Sequence, residues 1–193
     1  GSFGDIAASS FGGMVYYTSP DRSSLLEQLQ SDSMKAICDA DWKDLTIERL
    51  PEIPNFTLLV GWTGQVAITD SLIQATEKKR KVETDSTFYK EFLAKSHAIV
   101  QDLQSAWNKQ DIPALQEGIR SNRALLNEFA QEMQLEIETP ALQTLCDIAE
   151  QNGACAKTSG AGGGDCGICF TQNETQRQQI ETQWAKAQIQ VLP

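Results

Sequence analysis

The sequence has little positive charge. It contains 16 Lys and Arg residues against 26 Asp and Glu, which gives a formal net charge of −10. Because nucleic-acid binding draws its affinity from clustered Lys and Arg, this balance argues against a nucleic-acid partner. The one basic run, KKRK at 78–81, is predicted to be a solvated helix end, where cations meet the negative pole of the helix dipole.

Long apolar runs and metal-ligating patterns are also missing. No apolar stretch approaches the roughly 20 residues that a membrane helix needs, and no charged-then-apolar leader opens the chain. The single histidine, His97, has no cysteines or carboxylates at zinc-like spacing, so no metal-ligating residues are predicted. The five cysteines are an odd number, which favours reduced thiols. We therefore expect a cytoplasmic protein that does not span a membrane.

The first third of the chain carries strand signals separated by loops. A short helix is predicted from Asp5, since an acidic residue at a helix start fits the N-cap preference. The segments MVYYT, LTIERL and FTLLVGW have the composition of strands. Because Pro51 and Pro54 lie between the last two segments, we expect a boundary near Asn55, with one domain over 1–54 and a second over 55–193.

Residues 71–152 change to a helical period. Asp111 and Pro113 are predicted to open one long helix, and Thr139 is predicted to precede another that ends at Gly153. The apolar face of the long helix is predicted to consist of Ile112, Leu115, Ile119, Leu126, Phe129 and Met133.

The C-terminal tail reads as a strand, a tight loop, a strand, a Gln-rich helix from Glu174 to about Lys186, and a closing strand. This order predicts an α+β fold, in which an antiparallel sheet is packed by helices on one face. The tight loop is the stretch SGAGGGDCGICF, which has five glycines between Gly160 and Gly167. A run of this kind marks left-handed backbone or a surface that a ligand or another backbone approaches closely.

Several interpretations of the glycine run compete. The G-x-G-x-x-G pattern of dinucleotide-binding folds needs a helix after it, whereas a strand is predicted here. A Walker loop would end in Gly-Lys-Ser/Thr, and this one ends in Gly-Asp. The CGIC sequence is a Cys-x-x-Cys that could act as a thiol switch, although Cys166 and Cys169 fall in a predicted strand on opposite faces. A hairpin that only packs two strands together also stays open.

Three ordered segments resemble the GHMP kinase family of small-molecule kinases. KTSGAGGGDCGICF is similar to the family's third conserved motif, and GSFGDIAASSFGG is similar to its catalytic-aspartate segment. GWTGQVAITDSLI and the helix segment GIRSNRALL also find counterparts. Within the family, Gly-Asp-Cys after three glycines favours the branch that phosphorylates 5-phosphomevalonate over mevalonate kinase.

The resemblance implies a GHMP-kinase-like α+β fold with a ferredoxin-like C-terminal domain. It implies transfer of the γ-phosphoryl group of ATP, with Mg²⁺, to 5-phosphomevalonate. Asp5 would be the catalytic residue, orienting a lysine or the metal, with a plain helix N-cap as the alternative. The phosphate-binding residues would be Ser159, Gly160, Ala161, Gly162, Gly163 and Gly164. The substrate-binding candidates are Ser2, Thr63, Gly64, Asn122, Arg123 and Asp165, with Trp62, Thr69 and Arg120 as further candidates; the two arginines are otherwise expected to be solvated.

One part of the family pattern is missing. The principal phosphate loop and an N-terminal lysine, which precede the aspartate segment in the family, do not occur in this sequence. The chain therefore looks like the C-terminal portion of the enzyme, whose partner would be the N-terminal portion, and it is expected to be inactive alone. Another GHMP kinase or a non-catalytic nucleotide-binding or interaction module stays open as an alternative.

Overall fold

A computed structural model describes residues 3–64, 87–160 and 162–193. The chain divides into two compact units, Gly1–Glu52 and Ile53–Pro193, and the division falls close to the boundary expected near Asn55. That the units are a remnant of an N-terminal kinase domain and a C-terminal domain stays a prediction. The candidates Ser2, Thr69 and Ala161 and the basic run 78–81 lie outside the described residues.

Over its described residues, 3–52, the first unit contains two strands and three helices. In chain order these are α1 (Gly4–Phe11), β1 (Val15–Thr18), α2 (Arg22–Ser31), α3 (Met34–Asp39) and β2 (Thr46–Arg49). The two strands pair antiparallel, from Val15 opposite Arg49 to Thr18 opposite Thr46, as their composition predicts. The start of α1 differs from the expectation, because Phe3, with φ 63°, is the N-cap and Asp5 lies within the first turn.

The second unit is built on a four-stranded antiparallel sheet in the order β4-β5-β3-β6. Its described elements are β3 (Thr57–Trp62), α4 (Thr87–Lys109), α5 (Ile112–Glu132), α6 (Pro140–Gln151), β4 (Cys155–Thr158), β5 (Cys166–Thr171), α7 (Glu174–Lys186) and β6 (Gln190–Leu192). The predicted α+β class is confirmed. None of the described helices combines the length and apolar composition that a membrane crossing requires.

The helices α5 and α6 begin where the capping residues predict. Asp111 accepts a hydrogen bond from the Ala114 amide at the start of α5, and Thr139 accepts one from the Leu142 amide at the start of α6. One position of the predicted apolar face of α5 needs correction, since Leu125 is buried and Leu126 is only half-buried. Both lie near the same stripe, so the helical period alone does not separate them.

The main core lies between one face of the sheet and the helices α6 and α7. Leu59 and Cys169 project from the sheet, and Leu145 and Trp184 meet them from the helices. Trp184 is fully buried, and its indole N–H donates a hydrogen bond of 3.0 Å to the Leu145 carbonyl. Buried Trp needs such a partner for its one polar atom.

The other face of the sheet is packed by aromatic rings. Phe170 follows Cys169 on β5 and therefore points to the opposite face. Its ring stacks on Phe56 at 4.9 Å and meets the edge of Trp107, on α4, at 5.8 Å. Helices thus contact both faces of the sheet, not one face as the sequence predicts, because a strand with apolar residues on both sides needs cover on both.

Candidate functional site

The glycine-rich loop, residues 159–165, is the hairpin that joins β4 to β5. The two strands pair antiparallel, and the Ser159 amide donates a 3.0 Å hydrogen bond to the Cys166 carbonyl at the base of the loop. The prediction that the glycine run connects two strands is confirmed.

The loop needs glycine because its backbone is left-handed. Gly160, Gly162, Gly163 and Gly164 have φ values of 65°, 76°, 79° and 123°, and Asp165 has 61°. Side chains other than glycine pay about 1–2 kcal/mol in this region, while Asp is among the residues that tolerate it best. The run therefore encodes a loop shape that few other sequences would adopt.

One side of the loop is packed against Ile137, in the connection between α5 and α6. The Gly163 amide donates a 2.8 Å hydrogen bond to the Ile137 carbonyl. A Cβ atom on Gly162 would lie 2.5 Å from that carbonyl oxygen. The expectation that all of the glycine amides serve a phosphate therefore needs correction, since the Gly163 amide is engaged within the protein. Gly160 is exposed, and within the described part of the chain a Cβ there would meet nothing closer than 4 Å.

Three of the substrate-binding candidates, Thr63, Gly64 and Asp165, lie together at the end of the glycine-rich loop that leads into β5. The backbone amide and the hydroxyl of Thr63 each donate a 2.9 Å hydrogen bond to the Asp165 carbonyl, although the two residues are far apart in sequence. Gly64 follows directly, with φ 76°, and a Cβ there would meet no atom of the described residues within 4 Å. The structure thus gathers Thr63, Gly64, Ser159 and Asp165 at one end of the sheet, and the Asp165 side chain is exposed there.

Three further candidates, Arg120, Asn122 and Arg123, lie on α5. Arg123 donates to Glu138 through Nε at 2.8 Å and to Asp147 at 2.9 Å, and its hydrogen bond to Glu138 raises the pKa of the guanidinium. Arg120 donates to Glu150 at 2.7 Å. Carboxylates on and before α6 thus pair with both arginines, while the Arg120 side chain keeps 37% of its surface exposed. A substrate-binding role for either arginine stays a prediction. Asn122 is half-buried.

Asp5 belongs to the first unit. It is exposed in the first turn of α1, where its backbone carbonyl accepts a 2.8 Å hydrogen bond from the Ser9 hydroxyl. A carboxylate in the first turn interacts favourably with the positive end of the helix dipole. Its catalytic role stays a prediction.

The cysteines of the CGIC sequence lack the features of a redox pair. Both thiols are free, with Cys169 buried and Cys166 half-buried on β5. Burial raises the pKa of each thiol, whereas reactive cysteines have a lowered pKa. Since residues three apart on a strand face opposite sides of the sheet, the arrangement favours packing over disulfide chemistry.

Among the described residues, no group of three or more His, Cys, Asp or Glu side chains is placed to hold a metal ion. A magnesium ion that arrives bound to nucleotide phosphates needs only one or two protein carboxylates. The exposed carboxylate of Asp165, next to the glycine-rich loop, fits that smaller requirement.

Sequence reasoning missed the residues that support the loop from behind. Ile137 and Glu138 lie in a short non-helical segment with no recognisable motif. The one sequence feature near them is the Thr139-Pro140 helix start. It predicts where α6 begins, but it does not predict which residues pack against the segment before α6.

The chain matches known proteins along its whole length. A phosphomevalonate kinase from Streptomyces sp. (strain CL190) is 36% identical over 195 residues, covering 100% of this chain and 52% of that protein. The crystal structure of the Lin0012 protein from Listeria innocua matches with 34% identity and a TM-score of 0.94, covering 100% of this chain and 54% of that one. The chain spans about half the length of these relatives.

A further solved structure is the Streptococcus pneumoniae phosphomevalonate kinase in complex with phosphomevalonate and AMPPNP. It matches with 28% identity and a TM-score of 0.85, covering 100% of this chain and 55% of that one. The family profile described as GHMP kinases C terminal matches residues 98–190, a range that includes α5, α6, the glycine-rich loop and α7. Residues 98–190 therefore match the C-terminal domain of the GHMP kinase family, and the whole chain is similar in sequence and structure to phosphomevalonate kinases.

Proposed function

We propose that the complete protein transfers the γ-phosphoryl group of ATP to 5-phosphomevalonate, giving 5-diphosphomevalonate for isoprenoid synthesis. The observation that carries the proposal is the 36% identity to a phosphomevalonate kinase over the whole of this chain. The solved relative that holds phosphomevalonate and AMPPNP, an ATP analogue, adds support. We place the reaction in the cytoplasm, where free cysteines such as these stay reduced.

The glycine-rich loop supplies the chemistry that phosphoryl transfer needs most, which is positioning and neutralisation of charge. Successive left-handed glycines turn backbone amides into a concave anion site. Gly160, Gly162 and Gly164 would present amides to phosphate oxygens, and Ser159 would add a hydroxyl donor. Bound Mg²⁺ would neutralise phosphate charge, and Asp165 is the carboxylate on the loop that can share it.

Asp5 is the catalytic candidate, and its role differs from that of a simple base. The acceptor is a phosphate monoester with a second pKa of about 6, so it is already mostly deprotonated near neutral pH. Asp5 therefore has little proton to remove, and we propose that it orients a cation at the site of transfer. A lysine from the N-terminal portion or the metal would be that cation.

Replacing Asp5 by Asn tests this role in the complete enzyme. We expect kcat to fall more than about tenfold with little change in the thermal midpoint, because Asn keeps the size of the side chain and loses its charge. Steady-state kinetics and a thermal melt of the same preparation measure both quantities. A variant with wild-type kcat and a lowered midpoint would reduce Asp5 to a structural residue of α1.

The substrate assignment needs a separate experiment. The complete protein is assayed for ATP consumption with 5-phosphomevalonate, mevalonate and galactose, and calorimetry follows binding of ATP–Mg²⁺ to this chain alone and with the N-terminal portion added. We expect turnover with 5-phosphomevalonate only, and none by this chain alone. Preference for mevalonate would assign another GHMP kinase activity, and nucleotide binding without turnover of any acceptor would favour a non-catalytic module.

A further inference from the structure

The connection between α5 and α6 forms the back wall of the glycine-rich loop. Ile137 provides both contacts. Its carbonyl accepts a 2.8 Å hydrogen bond from the Gly163 amide, and the same oxygen lies only 2.5 Å from the position that a Cβ on Gly162 would take. A glycine run has little conformational preference of its own. The shape of the loop is therefore set in part by where this carbonyl points.

Glu138, the residue that follows the Ile137 carbonyl, is held in place by hydrogen bonds from α5. The Glu138 carboxylate accepts hydrogen bonds from Arg123 through both the Nε and a terminal nitrogen, and from the Asn127 amide at 3.2 Å. The Glu138 side chain is only 7% exposed and that of Arg123 17%. A bidentate Arg–carboxylate pair fixes geometry as well as charge, so α5 determines the orientation of the 137–138 peptide.

We infer that Glu138, clamped by Arg123, is a positioning residue for nucleotide binding by the glycine-rich loop. The inference rests on the proposed function, in which the loop binds the phosphates of ATP. Glu138 acts through the Ile137 carbonyl and the Gly163 amide and does not itself touch the nucleotide. Without the Arg123–Glu138 ion pair, the glycine-rich loop can change its conformation. The loop amides that are not bonded within the protein would then be misplaced for phosphate binding.

The chain contains a matched control for this clamp. Arg120 and Glu150 also connect α5 to α6, through a 2.7 Å ion pair. Arg120 additionally donates to the Ala154 carbonyl, which precedes β4, whereas the glycine-rich loop follows β4. Glu138→Gln and Glu150→Gln therefore each weaken an ion pair between an arginine of α5 and a carboxylate, and only Glu138 directly follows the Ile137 carbonyl that supports the loop.

The test uses the complete enzyme and two readouts. The first is KM for ATP and kcat at saturating 5-phosphomevalonate; we expect Glu138→Gln to raise KM for ATP about tenfold, and Glu150→Gln to leave it close to wild type. The second is hydrogen exchange of the Gly163 amide, which we expect to become at least about tenfold faster in Glu138→Gln only. If Glu138→Gln does not fold, Arg123→Lys replaces it in the test, because Lys keeps the charge but loses the bidentate geometry. We expect the same increase in KM for ATP and in the exchange rate of Gly163.

The outcomes separate the two proposals. A wild-type enzyme without ATP turnover on phosphomevalonate overturns the proposed function, while Gly163 exchange still reports whether Glu138 holds the loop. An active wild type in which Glu138→Gln and Glu150→Gln have equal KM for ATP and equal Gly163 exchange overturns the positioning role. Faster Gly163 exchange with unchanged KM also overturns it, because the loop would then bind ATP without needing the clamp.

Discussion

The two units of the chain differ in how completely they bury their own apolar side chains. In the described part of the first unit, the large apolar residues with more than a third of their surface exposed are Phe3, Ile6, Phe11, Leu26, Leu29 and Met34. In the second unit Leu115, Leu142, Leu145, Ile180 and Trp184 have no exposed surface. The described part of the second unit also has exposed apolar residues, Leu58, Leu93 and Val100, but it combines them with a set of fully buried large side chains that the described part of the first unit lacks.

Size explains part of the difference. The first unit spans Gly1–Glu52 and the second Ile53–Pro193, and short units bury a smaller fraction of the surface that their unfolded chain exposes. The sheet seen in the described part of the first unit has two strands, and a two-stranded sheet is marginally stable by itself in water. We expect the second unit to dominate the stability of the chain.

The largest effect is expected from truncating the tryptophan at the centre of the second unit. Trp184→Ala removes a fully buried ring and leaves the Leu145 carbonyl without its 3.0 Å donor. We expect a loss of about 3–5 kcal/mol in the free energy of unfolding. Chemical denaturation measures this loss, and hydrogen exchange of peptides from 53–193 shows that it lies in the second unit.

The first unit offers a matched control. The Trp42 indole N–H also donates to a carbonyl, that of Ile37 at 2.8 Å, but the ring is only half-buried. We expect Trp42→Ala to leave the exchange of peptides from 53–193 unchanged. Equal destabilisation of those peptides by both variants would break the comparison, since it would make the two units one cooperative core.

A smaller effect is expected within the glycine-rich loop. Gly162→Ala and Gly160→Ala both place a side chain at positive φ, 76° and 65°, so the backbone strain cancels between them. Only at Gly162 does the new Cβ lie 2.5 Å from the Ile137 oxygen. We expect Gly162→Ala to be less stable than Gly160→Ala by about 1–3 kcal/mol, the range for overpacking. Equal thermal midpoints of the two variants would contradict the close packing of Gly162 against the Ile137 carbonyl.

The smallest effect concerns the buried thiols of the second unit. Burial raises the pKa of Cys146 to about 12 from its ordinary value of 9.0. A group whose pKa is higher in the folded state stabilises the fold below its unfolded pKa, and this contribution is lost as the pH rises toward 12. From pH 9 upward, Cys146 should therefore lower the free energy of unfolding by about 1.4 kcal/mol per pH unit.

Denaturation of wild type, Cys146→Ala and Cys38→Ala between pH 8 and 10 isolates this contribution, since lysines and tyrosines titrate alike in all three. Cys38 is exposed in the first unit, so its removal should leave the pH dependence unchanged. Cys146→Ala should flatten the alkaline slope. The same slope in all three proteins would mean that the thiol is not buried.

Much of the fold can be read from the sequence because its signals are local. Strand segments around Val15, Thr46 and Thr57, and the caps Asp111 and Thr139, correspond to observed elements. The prediction of helices on one face of the sheet is wrong because Trp107 and Phe170 meet across a long separation in sequence. Contacts between residues far apart in sequence produce no hydrophobic periodicity from which they could be predicted.

The candidate site divides in the same way. The glycine-rich loop is visible in the sequence because left-handed backbone requires glycine, and four of its glycines have positive φ. The proximity of Thr63 to Asp165 follows only from the pairing of β3 with β5, which aligns Trp62 with Cys166. The arginines show the limit most clearly, since a helical sequence shows that Arg123 interrupts an apolar face but not which anion it meets.

The sequence by itself determined the strands, the starts of α5 and α6, the α+β class and the left-handed loop, because each depends on dihedral preferences and periodicities of neighbouring residues. It did not predict α2 and α3. Only the tertiary structure decided that Arg123 pairs with Glu138 and that the Gly163 amide bonds to Ile137. These contacts join elements whose approach depends on how the helices pack on the sheet. Charge and hydrogen-bonding capacity are properties of single residues, but a partner is a property of the packed fold.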